Sequence, residues 1–194
     1  MKDKLARLTS GIFNPFLLSI IVIILLAFKE STDTLYSLKW AGISLAFSAL
    51  PVLLAVWWLV HLKKLDGVFN NPREQRNRIY VMATLLGAIG FAIMWVFDPP
   101  QLLRATFTAG LVAILVFMII NFFWKISLHT AFISATATLI TLVYGAPGAI
   151  TLLLLPAVGW SRIALKQHTI SQVTAGAVCA AGIVLVVFWA CGCV

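Results

Sequence analysis

The chain is built from apolar segments, most of which are close to the length that a helix needs to cross a membrane. About 20 apolar residues in a helix span a hydrocarbon layer of roughly 30 Å. Five longer segments lie at residues 12–28, 40–60, 79–97, 105–123 and 173–190, and two shorter ones, residues 130–145 and 147–160, flank a Gly-Ala-Pro-Gly turn. This pattern predicts an all-α, polytopic transmembrane helix bundle of about six to seven spans.

Composition excludes the soluble classes of protein. Hydrophobic residues make up 62% of the 194 residues and charged residues only 10%, whereas about a quarter of a soluble domain is charged. We therefore expect residues 1–194 to form one integral membrane domain. The first apolar segment lacks a small-residue cleavage site, so we interpret it as a retained span. The spans contain no Asp or Glu, which disfavours ion-coupled transport.

The net charge of +8 favours anionic partners, which for a membrane protein means lipid headgroups or phosphate and not nucleic acid. With seven spans, eleven of the 14 basic residues fall on the side of the N-terminus, and Lys29, Lys39 and Arg104 fall on the other. The eleven are Lys2, Lys4, Arg7, Lys63, Lys64, Arg73, Arg76, Arg78, Lys125, Arg162 and Lys166. Basic loops stay in the cytoplasm. We expect an integral multi-pass protein of a prokaryotic inner membrane whose N-terminal side is cytoplasmic.

Three polar islands interrupt the apolar sequence where spans meet the N-terminal side. The first island is residues 63–80, the second is residues 124–130 and the third is residues 161–172. Because all three meet the same membrane surface, their side chains can converge at one depth. A basic loop is also a common topology signal, and His61 is interpreted as an interfacial polar side chain, so each island alone is weak evidence for a site.

Together, the islands contain the groups that phosphoryl transfer requires. Arg and Lys bind phosphate oxygens, and a histidine can act as nucleophile or general acid. His168 and Gln172 are four residues apart, so on a helix the amide can orient the imidazole. We expect no metal and no cofactor, because positive side chains can replace the charge of a metal ion and the three cysteines show no zinc-binding spacing with histidine.

Two islands resemble a known family. Ser161-Arg162-x5-His168 resembles the third signature of the type 2 phosphatidic acid phosphatase superfamily, Ser-Arg-x5-His-x3-Asp. Lys125-Ile126-Ser127-Leu128-His129 resembles its second signature, Pro-Ser-Gly-His, with Ser and His at the matching offset. The resemblance covers roughly residues 60–190. We therefore expect a phosphatase-like core at residues 61–190, preceded by N-terminal spans at residues 1–60.

The chain departs from the family pattern in each signature. Gln172 replaces the final Asp of the third signature, as in the His-Thr-x-x-Gln-Val variant of dolichyl diphosphatases. Ile126 and Leu128 replace Pro and Gly in the second. The first signature, Lys-x6-Arg-Pro, matches only at Arg78, where its Lys position falls on Asn71. In a second register it begins at Lys64 and ends at Asn71-Pro72, without the Arg.

The resemblance implies a membrane hydrolase that removes phosphate from a lipid phosphate or diphosphate through a phosphohistidine. His168 would be the nucleophile, His129 the general acid and base, and Gln172 the residue that orients His168. The phosphate-binding residues would be Arg162, Ser127, Lys125, Arg78, Arg73 and Arg76. The Gln variant points to a polyprenyl substrate, and phosphatidate or phosphatidylglycerophosphate is the alternative. A lipid phosphotransferase, a non-catalytic lipid-binding protein and a homo-oligomer remain open.

Overall fold

The computed structural model describes residues 1–69 and 71–194, and every regular element in these ranges is helical. The α-helices are α1 (Lys2–Ile12), α2 (Pro15–Lys29), α3 (Thr34–Ala46), α4 (Ala49–His61), α5 (Arg73–Phe97), α6 (Gln101–Phe123), α7 (Leu128–Tyr144), α8 (Ala146–Ala149), α9 (Leu154–Ala164) and α10 (Ile170–Ala190). A 3-10 helix, Ile150–Leu153, joins α8 to α9. The prediction of an all-α chain is confirmed for these residues.

Helix length and composition indicate a multi-pass membrane protein. In the described residues, five helical stretches are long and apolar enough to cross a membrane, or six if α1 and α2 form one bent span. The five are Thr34–His61, Arg73–Phe97, Gln101–Phe123, Ala146–Ala164 and Ile170–Ala190. Helix α7, which has 17 residues, is shorter. The count of six to seven spans stays a prediction.

The break between α1 and α2 follows from an Asn-Pro pair. Pro15 opens α2, where its missing N–H removes no helical hydrogen bond. The Asn14 side chain joins the two helix ends, because Nδ2 donates to the carbonyl of Gly11 at 2.8 Å and Oδ1 accepts from the backbone N–H of Leu17 at 3.0 Å. The two helices are bent by 40° at this break. Helices α1 and α2 therefore do not form one straight helix.

The chain divides into two compact units, and the boundary expected at residues 60–61 stays a prediction. Unit 1 comprises Met1–Val22 and Lys125–Gly192, with Val194, and unit 2 comprises Ile23–Trp124, with Cys193. Unit 1 thus combines α1 and the start of α2 with α7, α8, α9 and α10. Its core includes Leu18, Ile133 and Val158, which come from α2, α7 and α9.

Helices α7 and α10 pack closely in unit 1, and we call their contact the α7–α10 seam. Thr130 Oγ1 donates to the carbonyl of Val173 at 3.0 Å, and Ser134 Oγ donates to the carbonyl of Ala177 at 2.8 Å. Residue numbers increase in the same direction on both sides, so the helices run parallel. A Cβ atom on Gly176 would lie 2.6 Å from the carbonyl oxygen of Ser127. The seam therefore requires glycine at this position.

Gly176→Ala is expected to lower the free energy of unfolding by about 1–3 kcal/mol, since the added methyl group must push α10 away from the start of α7. Gly182→Ala is the matched control in the same helix, because nothing lies within 4 Å of its Cβ position. Thermal unfolding of both variants in detergent measures the difference. Equal melting temperatures would contradict the close contact at the seam.

In unit 2, the Glu30 side chain caps the start of α6. Its Oε1 accepts a hydrogen bond from the backbone N–H of Leu102 at 2.8 Å. Partial burial raises the pKa of the Glu30 carboxyl above its ordinary value of 4.5, although backbone N–H groups at the start of α6 and the charge of Arg104 oppose this rise. The folded protein therefore takes up a proton at Glu30 more readily than the unfolded chain.

This shift predicts a pH-dependent loss of stability. A carboxyl group whose pKa is higher in the folded state costs stability as pH rises from 4.5 through the raised value, because the unfolded chain loses its proton first. Glu30→Gln keeps the acceptor for Leu102 but cannot ionise. Unfolding measured from pH 4 upward should show the wild type losing stability relative to Glu30→Gln across this window. Parallel pH profiles would show that the prediction is wrong.

Candidate active site

The second island forms the start of α7. Ser127 is the N-cap residue, and its side chain accepts from the backbone N–H of Thr130 at 3.5 Å. Ile126 and Ser127 are fully buried, and His129 is 4% exposed in the first turn of the helix. Lys125 is half-buried just before the cap. The N-capping serine is a local sequence signal for a helix start, and it places His129 beside that start.

The third island begins at the end of α9. Arg162 and Ser161 lie buried in the last turn, and Ser161 Oγ donates to the carbonyl of Val158 at 2.7 Å. The helix ends in a Schellman motif, because the N–H of Gln167 bonds to the carbonyl of Arg162 at 3.0 Å and Lys166 adopts a φ of 54°. The chain reverses within residues 165–169 and enters α10.

The second and third islands meet at one end of unit 1. The backbone N–H of Ser127 donates to the carbonyl of Gln172 at 3.3 Å, which joins the starts of α7 and α10. Because only residues 165–169 separate α9 from α10, Arg162 lies at the same end. The structure thus gathers Ser127, His129, Arg162, His168 and Gln172, as well as Lys125, around the joined helix starts.

The Gln172 side chain determines which nitrogen of His168 bears the proton. Its Oε1 accepts from the backbone N–H of Thr169 at 3.3 Å, and Thr169 Oγ1 accepts from the N–H of Gln172 at 3.4 Å, so the two residues form a capping box. The same Oε1 lies 3.1 Å from Nδ1 of His168. Because a carbonyl oxygen only accepts, Nδ1 is the donor in this bond. In the neutral ring, Nε2 is then the nitrogen that carries the lone pair.

Arg162 is held by the N-terminal helix. Its Nη1 donates to Ser10 Oγ of α1 at 2.6 Å. The arginine is 2% exposed and the serine 7%, so this hydrogen bond is buried. The predicted phosphate-binding role of Arg162 stays a prediction.

The arginines of the first island belong to unit 2, where each has a partner. Arg76 is buried on α5, and its Nη2 donates to Tyr80 Oη at 2.9 Å. Arg73 Nη1 donates to the carbonyl of Phe123 at 3.1 Å. The exposed Arg78 makes a longer bond, 3.4 Å, from Nη1 to the carbonyl of Lys64.

Two other side chains show how the first island is built. Asn121 of α6 is fully buried, and its Nδ2 donates to Asn77 Oδ1 at 2.8 Å and to the carbonyl of Arg73 at 3.1 Å. Asn71 closes a local loop through hydrogen bonds with the backbone of Gly67. These bonds give the island a structural role within unit 2. They leave the phosphate-binding roles predicted for Arg73, Arg76 and Arg78 untested.

Sequence reasoning missed three residues that shape the unit 1 site: Ser10, Thr169 and Gly176. The spacing Thr169-x-x-Gln172 is a capping-box pattern and was a usable signal for the start of α10. Ser10 offered no such signal, because it lies 152 residues before Arg162. Gly176 has no distinguishing sequence signal, because small residues are common in apolar helices and its role depends on how α10 packs on α7.

Comparisons with known proteins found no match for the chain. No family model matches the chain, and neither does any curated protein or solved structure. In residues 1–69 and 71–194, no three His, Cys, Asp or Glu side chains gather in a group that could hold a metal ion. The resemblance of the second and third islands to the phosphatase signatures therefore rests on their own residues.

We expect the neutral ring of His168 to carry its proton on Nδ1. Nitrogen NMR of histidine-labelled protein distinguishes the two tautomers, and a His168→Ala sample identifies the signals of this residue. Gln172→Leu removes the acceptor and should raise the fraction protonated on Nε2. Thr174→Ala, at an exposed position of α10, leaves Thr169 and Gln172 in place, serves as the control and should match the wild type. A wild-type ring protonated on Nε2 would rule out the proposed hydrogen bond.

Proposed function

We propose that the chain is a membrane-embedded hydrolase that removes phosphate from a lipid phosphate or diphosphate through a phosphohistidine. The observation that supports this most directly is the capping box of α10. It fixes the Gln172 oxygen against Nδ1 of His168 and so presents Nε2 as the nucleophile. A glutamine whose oxygen also accepts the N–H of Thr169 cannot rotate without losing that bond.

In the first step of the proposed mechanism, Nε2 of His168 attacks the phosphorus atom. A P–N bond forms while the P–O bond to the leaving group breaks, and His129 donates a proton to the leaving oxygen, which belongs to the lipid alcohol of a monophosphate or to the inner phosphate of a diphosphate. In the second step, His129 accepts a proton from water as that water attacks phosphorus. The P–N bond breaks, inorganic phosphate leaves and His168 is regenerated.

Positive charge near the joined helix starts would stabilise the reacting phosphate. Arg162 and Lys125 are the cations of unit 1 that sequence and position assign to this role, and Ser127 adds hydrogen-bonding capacity. The starts of α7 and α10 also present the positive ends of their helix dipoles. Such fixed charges match the charge that spreads over the phosphoryl oxygens in a loose transition state.

The substrate would be amphipathic. The helices expose large apolar side chains, including Val96, Phe123 and Trp189, which are 73–81% exposed, so a long tail can lie in the membrane beside them. The Gln172 variant of the third signature favours a polyprenyl phosphate or diphosphate by resemblance. Phosphatidate or phosphatidylglycerophosphate is the alternative within the same chemistry.

The test measures phosphate release in detergent from a polyprenyl diphosphate, a polyprenyl monophosphate and phosphatidate. His168→Ala is expected to lower turnover by about 10³-fold or more, since it removes the nucleophile. His129→Ala should slow it by about 10²–10⁴-fold. His61→Ala is the matched control, because His61 lies at the end of α4 in unit 2, stacked on Trp57, and should retain activity.

Each result has a defined meaning. Release by the wild type and His61→Ala, with an acid-labile phosphoprotein that His168→Ala lacks, supports the hydrolase. Normal release by His168→Ala contradicts the mechanism. Transfer of phosphate to a lipid or sugar hydroxyl without free phosphate indicates a transferase. Binding of these lipids without turnover indicates a non-catalytic member of the family.

A further inference from the structure

Helix α1 packs one face against the rest of unit 1 and leaves another face exposed. Ala6 and Ser10, one turn apart, are buried, and α1 packs against α9. Leu5, Leu8 and Ile12 form a second stripe that is 49–59% exposed. The buried face thus carries a hydroxyl group to the last turn of α9, where Arg162 lies.

The hydrogen bond between Ser10 and Arg162 fixes a buried cation. A guanidinium that is 2% exposed has lost most of its contact with water, and leaving its N–H groups without acceptors would be costly. Ser10 Oγ accepts from Nη1 at 2.6 Å, a short distance that is typical of bonds to charged donors. This contact restricts where the guanidinium can point.

The chemistry of the acceptor matters as much as its position. A carboxylate at residue 10 would hold the guanidinium too, but its negative charge would cancel the attraction of Arg162 for an anion. A serine hydroxyl accepts the hydrogen bond and remains neutral. The Ser10 contact therefore holds one nitrogen of Arg162 without placing a negative charge beside it.

We propose that Ser10 is a positioning residue that holds Arg162 for a phosphate group, so that α1 is part of the phosphate-binding end of unit 1. The inference rests on the proposed function for the assignment of Arg162 to phosphate. It extends that function to a helix that the family resemblance leaves out. The ligand class is a phosphate, either free or on a lipid headgroup.

Binding of inorganic phosphate tests this without requiring turnover. Thermal unfolding of the full-length protein in phosphate-free detergent buffer, followed during a phosphate titration, gives the affinity from the stabilisation of the folded state. Ser10→Ala and the nearly isosteric Ser10→Cys should weaken phosphate affinity about tenfold, because a hydrogen bond to a charged group is lost. Ser10→Asp should weaken it at least as much, because the new charge neutralises Arg162.

Two variants serve as controls. Ser10→Thr retains a hydroxyl acceptor and should preserve phosphate affinity within about twofold. Thr9 lies next to Ser10 on the same helix, and its hydroxyl donates to the carbonyl of Leu5 at 3.0 Å, so Thr9→Ala should behave like the wild type. The melting temperature without phosphate separates loss of fold from loss of binding, and Ser10→Cys replaces Ser10→Ala if the latter is unfolded.

The outcomes separate this inference from the proposed function. The positioning role would be overturned if Ser10→Asp and one of the two other variants, Ser10→Ala or Ser10→Cys, bound phosphate as tightly as the wild type does. This holds even if the wild type hydrolyses lipid phosphates. Weakened phosphate affinity in these variants would support the role, even if no lipid phosphate in the panel is hydrolysed. A wild type that binds no inorganic phosphate would overturn it. If the wild type binds inorganic phosphate, a lipid phosphate assayed as a competitor shows whether the lipid headgroup uses the same site.

Discussion

The close contact between α10 and the start of α7 depends on the missing side chain of Gly176. Because the backbone of α10 can approach the carbonyl of Ser127, polar side chains of α7 reach the carbonyls of α10, and Thr130 does so while it also bonds to the carbonyl of Ser127 at 3.1 Å. Thr130 and Ser134 make such bonds one turn apart. In a membrane, where water is scarce, these bonds satisfy buried hydroxyls and set the register of the two helices. The register in turn places His129 and His168 at the same end of unit 1.

Two polar groups of this end are held by neutral partners. The amide of Gln172 holds His168, and the hydroxyl of Ser10 holds Arg162. A carboxylate in either place would bind more strongly, but it would favour a protonated imidazole in one case and would neutralise the guanidinium in the other. These neutral acceptors hold both groups without adding negative charge, which suits the nucleophilic and phosphate-binding roles proposed for them. The replacement of Asp by Gln172 fits this arrangement, because the longer amide also completes the capping box.

In the first island, polar side chains mainly bond to one another and to the backbone of unit 2. Arg76 bonds to Tyr80, and Asn121 bonds to Asn77, so polar groups at this end of α5 and α6 satisfy one another within unit 2. The arginines of this basic sequence were predicted to bind phosphate. Here the same residues also cap and join helices. The resemblance was weakest in this island, where only Arg78 matched the first signature.

The sequence by itself predicted most of the apolar helices, but neither α1 nor the break between α3 and α4. Apolar runs predict helices because only a helix satisfies the backbone of a single segment in lipid, and Asn14-Pro15, Ser127 and Thr169-x-x-Gln172 are local signals for helix starts. The proximity of His168 to Gln172 was predicted from helical i, i+4 spacing, but His168 lies before α10 begins at Ile170, and the capping box of Thr169 and Gln172 brings the two side chains together. Only the tertiary structure decided that α1 packs on α9, that Ser10 meets Arg162 and that Gly176 lies against Ser127. These contacts join residues far apart in the chain, and they depend on how helix surfaces fit together, which no local pattern of apolar residues encodes.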